Sequence, residues 1–407
     1  MKSNWLFVVF MVLTALLAPY QLFIYSSAIG LMFYFLFSLK NLKVIYSDGA
    51  SIIKPRGDFK FVQLFLLWAL INFVRGIFVA DGYFEYKHLI IGIASSLLPL
   101  LLSIFYFPNK VRFFFRCWLL ICVPIVLVLE GPGHLFSVYL LSALVFYVIF
   151  LDKWNFGKSL LIIAIVVLYV IVSVQTESRF PIGLFVVTFL FFLLGKTPIL
   201  ENVKLARIVK NITHASVVLV FLVLLPDFFG VFRGEIQSAS PHNDSSVGID
   251  SRSLIFWDVY DSSTKHNYVL WGRTPAKGFD MWLSESLIVL DNAQGPDSTK
   301  EFGKNWERHI NEMALSNIYT WHGLIGLLLF SLIYFKASNL AVKQSQNKYI
   351  RLIGCYIAFR WVTGWIADCN VFDMNNIALW SMMAMCYSPY FRNMTNRDFE
   401  QWVKKIF

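Results

Sequence analysis

The sequence predicts an all-α fold: a polytopic integral membrane protein with about twelve transmembrane helices and one large external loop that carries short amphipathic helices. Three observations lead there. The 407 residues are 57% hydrophobic and 17% aromatic with only 15% charged, whereas a soluble domain carries about 25% charge. Apolar runs recur along most of the chain at the length a bilayer core of roughly 30 Å demands, about 20 helical residues. The 35 Lys and Arg gather in alternate gaps between those runs, as they do in loops that stay in the cytoplasm.

Taken in order, the runs Trp5–Ala18 and Tyr20–Ser38 are divided by Pro19 alone, because proline interrupts a helix. Lys2 ahead of a short apolar run also fits a cleaved secretory signal peptide, the alternative to a retained first span. Phe61–Ala80 and His88–Phe107 follow, then Val111–Leu129, His134–Leu151, Lys158–Val174, Phe180–Leu194 and Thr213–Phe232. Ala314–Phe335, Leu352–Ala367 and Met374–Tyr390 complete the set. Residues 1–229 thus hold nine spans, 230–313 the large loop, 314–390 three more spans, and 391–407 a basic tail.

Basic clusters at 40–60, 110–116, 153–158, 196–210, 336–351 and 392–405 stand against Lys87 and Arg179 in the short loops opposite. That asymmetry assigns both termini to the cytoplasm and the large loop to the outside. It also explains the net charge of +10 as topology rather than a nucleic-acid footprint, so no nucleic-acid partner is expected. The five cysteines form no CxxC pair and avoid the large loop. They are expected as small buried hydrophobes, not as disulfides or metal ligands.

The loop holds twelve acidic and eight basic residues, so it is no polybasic lipid-binding segment. Ser251–Tyr260 and Phe279–Leu290 space their apolar residues as short surface helices do. Ser238–Val247 and Asp291–Ser298 are rich in turn formers and serve as links. No internal repeat is visible, which weighs against a transporter built from repeats.

Three arginines oppose the charge bias: Arg75 near the outer end of the third span, Arg179 in the turn Gln175–Phe180, and Arg360 inside the eleventh span. Each is either a snorkelling or ion-paired residue or a guanidinium that grips phosphate oxygens at the outer face. Arg252 opens the first loop helix. His309 and Glu312, three positions apart, would share a helix face about 5–6 Å apart and form a candidate proton acceptor; the alternative is a solvated helix cap. His266-Asn267 is expected as a solvated turn. Asp81, Glu85 and Glu130 are too dispersed for a cation site, so no metal is expected.

The order of these features resembles the O-antigen ligase and O-antigen polymerase superfamily of membrane glycosyltransferases. A Ser-Arg turn after an apolar span, an Arg-led amphipathic segment in a large late loop, and His309 shortly before Gly323-x-x-Gly326 carry the resemblance, from about Gln175 onward. It implies a metal-independent, nucleotide-independent, inverting transfer of a polyprenyl-pyrophosphate-linked glycan to lipid A-core, at the periplasmic face of a bacterial inner membrane. Arg179 and Arg252, helped by Arg75 or Arg360, would hold the pyrophosphate, and His309 would serve the acceptor. The family's His-Asn register relative to Gly-x-x-Gly falls here on Glu312-Met313, which makes Glu312 the rival of His309. The turn and the single large loop favour a ligase; a repeat-unit polymerase is the alternative within the superfamily, and a polysaccharide transporter the alternative outside it.

Overall fold

The computed structural model describes residues 2–17, 23–46, 58–122, 124–125, 187, 190–191, 193–228, 251–281, 307–366 and 370–406. They are mostly helical. Among the described residues four helices are long and apolar enough to cross a membrane: Lys60–Val79, Tyr83–Ile104, Val203–Leu222 and Ala314–Gln344. The expected spans His134–Leu151 and Lys158–Val174 lie outside the described residues, as does most of Phe180–Leu194.

Helix α1 (Lys2–Leu17) buries Phe7, Phe10, Met11 and Ala15 against α2 (Phe23–Phe33). The contact is a cluster of aromatic rings, with Phe7 5.4 Å from Phe33 and 5.6 Å from Phe37. Helix α3 (Lys60–Val79) turns through Ala80–Gly82 into α4 (Tyr83–Ser96), which begins five residues earlier than the apolar run alone indicates. The α3 face bearing Leu67, Leu70, Val74 and Phe78 is exposed, as a helix side facing lipid tails can be. Helix α5 (Pro108–Cys117) starts with proline in its first turn, where no backbone donor is lost.

The ninth expected span also begins earlier. Asn202 caps α6 (Val203–Ala215), its side chain accepting from Lys204 N at 2.8 Å and Leu205 N at 3.4 Å. The helix therefore takes in Lys204, Arg207 and Lys210, which the charge pattern alone assigns to a loop. After α7 (Val217–Phe228) comes α8 (Ser251–Lys265), five residues longer than its apolar spacing predicts.

Helices α9 (Ala314–Gln344), α10 (Lys348–Thr363) and α11 (Met374–Tyr387) form the densest packing, with Trp321, Tyr356, Trp380 and Tyr387 fully buried. Asn347 fixes the α9–α10 corner: its Oδ1 accepts from Ile350 N at 2.8 Å, and its Nδ2 donates to Phe391 O at 3.0 Å and Met394 O at 2.9 Å. Helix α12 (Asn396–Lys404) closes the chain with a Thr395–Asp398 capping box. Cys117, Cys122, Cys355 and Cys386 are free and buried.

One expected element is corrected. Phe279 does not open a helix; Phe279–Asp280 (β1) pairs antiparallel with Glu307–Arg308 (β2), Phe279 facing Arg308. Phe279 is buried beside Ile255, Val259 and Met313, so its apolar character serves contacts with α8 and with the entry to α9. Residues 282–290 of that expected helix lie outside the described residues.

Candidate functional site

The site is built around a break in α9. Gly323 has φ 65° and ψ −169° inside an otherwise helical run, a conformation open essentially to glycine alone. Breaking a helix strips backbone groups of their partners, and a loop supplies them. Arg273 N donates to Thr320 O at 2.8 Å and Thr274 N to Trp321 O at 3.2 Å; in return Leu324 N donates to Val269 O at 2.8 Å and Ile325 N to Leu270 O at 3.3 Å. Irregular backbone beside a membrane-crossing helix is tolerated where protein satisfies it. This clasp ties residues 269–274 to the helix.

Arg75 supports the clasp from α3. Its guanidinium donates to Asn72 Oδ1 at 2.6 Å, Trp271 O at 3.1 Å and Gly272 O at 3.3 Å. Trp68 donates to His322 O at 2.9 Å, and its ring lies 5.3 Å from Trp271. His322 is fully buried, with Nε2 2.7 Å from Ser96 Oγ on α4. Pro275 fills the space that a side chain at Gly92 would need.

Beyond the clasp the loop is held by charge. Arg273 Nη2 lies 2.8 Å from Glu307 Oε1, and its Nη1 donates to Gly278 O at 2.7 Å and Asp280 Oδ1 at 3.3 Å. Burial alone would raise the Asp280 carboxyl; hydrogen bonds from Lys265 and His266, with the Arg273 charge, outweigh it and hold the group below the usual carboxylate range. His266 Nε2 is 2.7 Å from Asp280 Oδ2. The His266-Asn267 turn is real, with Asn267 at φ 55°, but its imidazole is tied to a carboxylate rather than simply solvated. Lys277 pairs with Asp81 at 3.0 Å and with Glu85, joining the loop to the α3–α4 turn.

His309 and Glu312 do not share a helix face. Both precede α9 in non-helical chain, because β2 ends at Arg308 and Met313 is the N-cap. Glu312 is exposed and paired with Arg308 at 2.7 Å. His309 is buried, donating Nε2–H to Ala276 O at 3.1 Å; its Nδ1 makes no hydrogen bond of normal geometry, although the Glu307 backbone also faces the ring. The ring stacks on His88 at 4.3 Å, and Phe84 meets its edge at 5.2 Å. Burial lowers the His309 pKa to about 4. The imidazole is therefore neutral at pH 7, and the basicity that favours it over a carboxylate in solution is gone.

That shift sets a pH dependence. The unfolded chain, with an ordinary histidine pKa of 6.5, takes the proton first as pH falls. The His309 contribution to stability is thus full above about pH 6.5 and is lost as pH falls toward 4, by about 2 kcal/mol at pH 5. Denaturant unfolding in detergent at pH 7 and pH 5 should show the wild type losing about that much more than His309→Gln. Equal losses would contradict the burial of a neutral ring.

Of the other expected residues, Arg360 is buried on α10, its Nη1 3.4 Å from Tyr356 Oη, in a cavity with Asn370, Asn376 and Trp361. The structure does not bring it to the clasp bonds. The backbone of Arg252 lies in the first turn of α8. Arg179 lies outside the described residues. Sequence reasoning missed Arg273, Lys277, Glu307, Asp280 and His322. A signal was present: Trp271-Gly-Arg-Thr-Pro-Ala-Lys-Gly278 packs glycine and proline around two cations, and a histidine within an apolar span calls for a partner. Among the described residues no group of three or more His, Cys, Asp or Glu is placed to hold a metal ion.

The geometry defines a mostly helical protein with helices long and apolar enough to cross a membrane and a loop clasped to the break in one of them. No protein-family model, curated protein or solved structure matches the chain.

Proposed function

We propose that the chain is a polytopic membrane glycosyltransferase of the O-antigen ligase type, moving a polyprenyl-pyrophosphate-linked glycan to lipid A-core at the periplasmic face of the inner membrane. The observation that carries the proposal is the clasp. It brings Arg75 and His309 to the place where the ends of α3, α4 and α9 meet a polar loop, with Arg273 and Lys277, each paired to carboxylates, holding that loop in place; a lipid-borne anionic donor and a hydrophilic acceptor require such a junction. The reading includes twelve spans and an outward-facing loop around it, as the run lengths and the charge asymmetry of the sequence suggest.

In the proposed reaction an acceptor hydroxyl oxygen attacks the anomeric carbon, the bond to the pyrophosphate oxygen breaks on the opposite face, and the configuration inverts. The departing oxygen gains negative charge. Arg179 and Arg252, with Arg75, stabilise it, and one such preorganised donor is worth roughly 3 kcal/mol. His309, neutral at pH 7, accepts a hydrogen bond that orients the incoming hydroxyl, whose proton passes to water as the new bond forms. Glu312, exposed and close by in sequence, is the alternative carboxylate base.

The test is glycan transfer by purified protein from a polyprenyl-pyrophosphate donor. Arg179→Ala and Arg252→Ala should each lose roughly a hundredfold or more in rate while remaining folded in the membrane. Lys at either position should restore only part, since a point charge lacks the planar fork that binds phosphate through two hydrogen bonds. Unchanged rates would remove both residues from the site.

A further inference from the structure

At the other end of the helical assembly two cavities adjoin. Helix α5 begins four residues after Ile104, where the membrane-crossing helix Tyr83–Ile104 ends. Its buried side holds Val111, Phe114 and Phe115; its outer side presents Lys110, Arg112 and Arg116. With Asn109 and Phe113 these three cations line an open cleft of about 310 Å³. A narrower slot of about 110 Å³ runs beside it, walled by Leu6, Phe7, Leu36, Phe37 and Ile104, with Lys40 and Lys110 at its rim. Lys110 belongs to both.

No described carboxylate pairs with Lys40, Lys110, Arg112 or Arg116. Arg112 reaches only Asn109 Oδ1, at 2.8 Å, and Arg116 spends two donors on the carbonyls of Lys405 and Ile406, at 2.7 and 3.1 Å. A guanidinium carries five donors, so both arginines keep several to offer. Trp402 sits at the same level, its indole donating to Pro108 O at 3.3 Å, where amphipathic aromatics mark the boundary between lipid tails and water.

A ligand matching both cavities has an anionic, oxygen-rich head and an apolar chain leaving it at an angle. We propose that this corner binds an anionic glycerophospholipid, its phosphate on Lys110, Arg112 and Arg116 and one acyl chain against Leu6, Phe7, Leu36, Phe37 and Ile104. The site is separate from the clasp. It rests on the helices crossing a membrane, not on glycan transfer, so either proposal can fail without the other. A basic pocket at helix ends is the feature that recognises acidic head groups, and the shared Lys110 makes this one selective for a phosphate that carries a chain.

The experiment is native mass spectrometry of the full chain in detergent, titrated with phosphatidylglycerol, phosphatidylcholine or inorganic phosphate. Phosphatidylglycerol should bind at least tenfold tighter than phosphatidylcholine. Lys110→Gln with Arg112→Gln should weaken it about thirtyfold, since each basic residue at an acidic membrane surface contributes about a factor of five. Arg112→Lys should keep most of the affinity, and Leu36→Trp, which fills the slot, should weaken the lipid while leaving the unfolding midpoint unchanged. Equal binding of the two lipids, or unchanged binding in the double variant, would overturn the site. Displacement by inorganic phosphate at matching concentration, with Leu36→Trp inert, would overturn the lipid assignment in favour of a free anion.

Discussion

Gly323→Val should release the loop from α9. At φ 65° and ψ −169° a side chain costs roughly 1–3 kcal/mol in backbone strain alone. Its Cβ would also stand 2.3 Å from Leu270 O and 2.4 Å from Gly272 N. Both are backbone atoms of the clasp and cannot move without breaking it. In the wild type the Leu324 and Ile325 amides should resist hydrogen exchange, because each is held by a loop carbonyl. In the variant they should exchange with the loop, and residues 266–278 should become open to protease. Gly82→Ala is the control, with nothing within 4 Å of its Cβ. Protection equal to wild type in Gly323→Val would show that the clasp does not depend on the break.

Arg273→Met should be the most destabilising change among the loop charges. The pair with Glu307 is largely buried, with side-chain exposures of 16% and 7%. Removing one partner strands the other's charge, typically at a cost of about 3–5 kcal/mol. Gly278 N reaches Glu307 Oε2 at 3.3 Å, which softens the loss without cancelling it. Replacing both residues, Arg273→Met with Glu307→Leu, should recover much of the stability, because the isolated charge is the main penalty. Unfolding midpoints of the two single variants and the double variant measure the coupling. Strictly additive losses would mean that the pair contributes nothing beyond its separate contacts.

The helical class and several helices long and apolar enough to cross a membrane were legible from composition and run length, since lipid exposure leaves a long apolar stretch as its own signature. Helix α8 was legible from its apolar spacing. The break at Gly323 was not. A glycine within an apolar helical run looks the same whether the helix passes through it or stops, and the groups that decide are fifty residues away at Val269, Leu270, Arg273 and Thr274. The same non-local pairing misled at Phe279, whose partner Arg308 lies across the loop. Helical spacing also misled at His309 and Glu312, where the stretch before α9 is not helical. Arg75 stood out by opposing the charge bias. What it grips, the Trp271 and Gly272 carbonyls, carries no side-chain signal at all.

The most direct measurement is a gel of surface glycans from cells lacking the protein, with lipid A-core and carrier-linked polymer resolved separately. A ligase predicts that long chains vanish from lipid A-core while polymer persists on the polyprenyl carrier, and that the wild-type gene, but not the Arg179→Ala form, restores them. Lipid A-core capped with single repeat units would instead assign chain growth to this protein. An unchanged ladder would contradict any role for it in building that glycan.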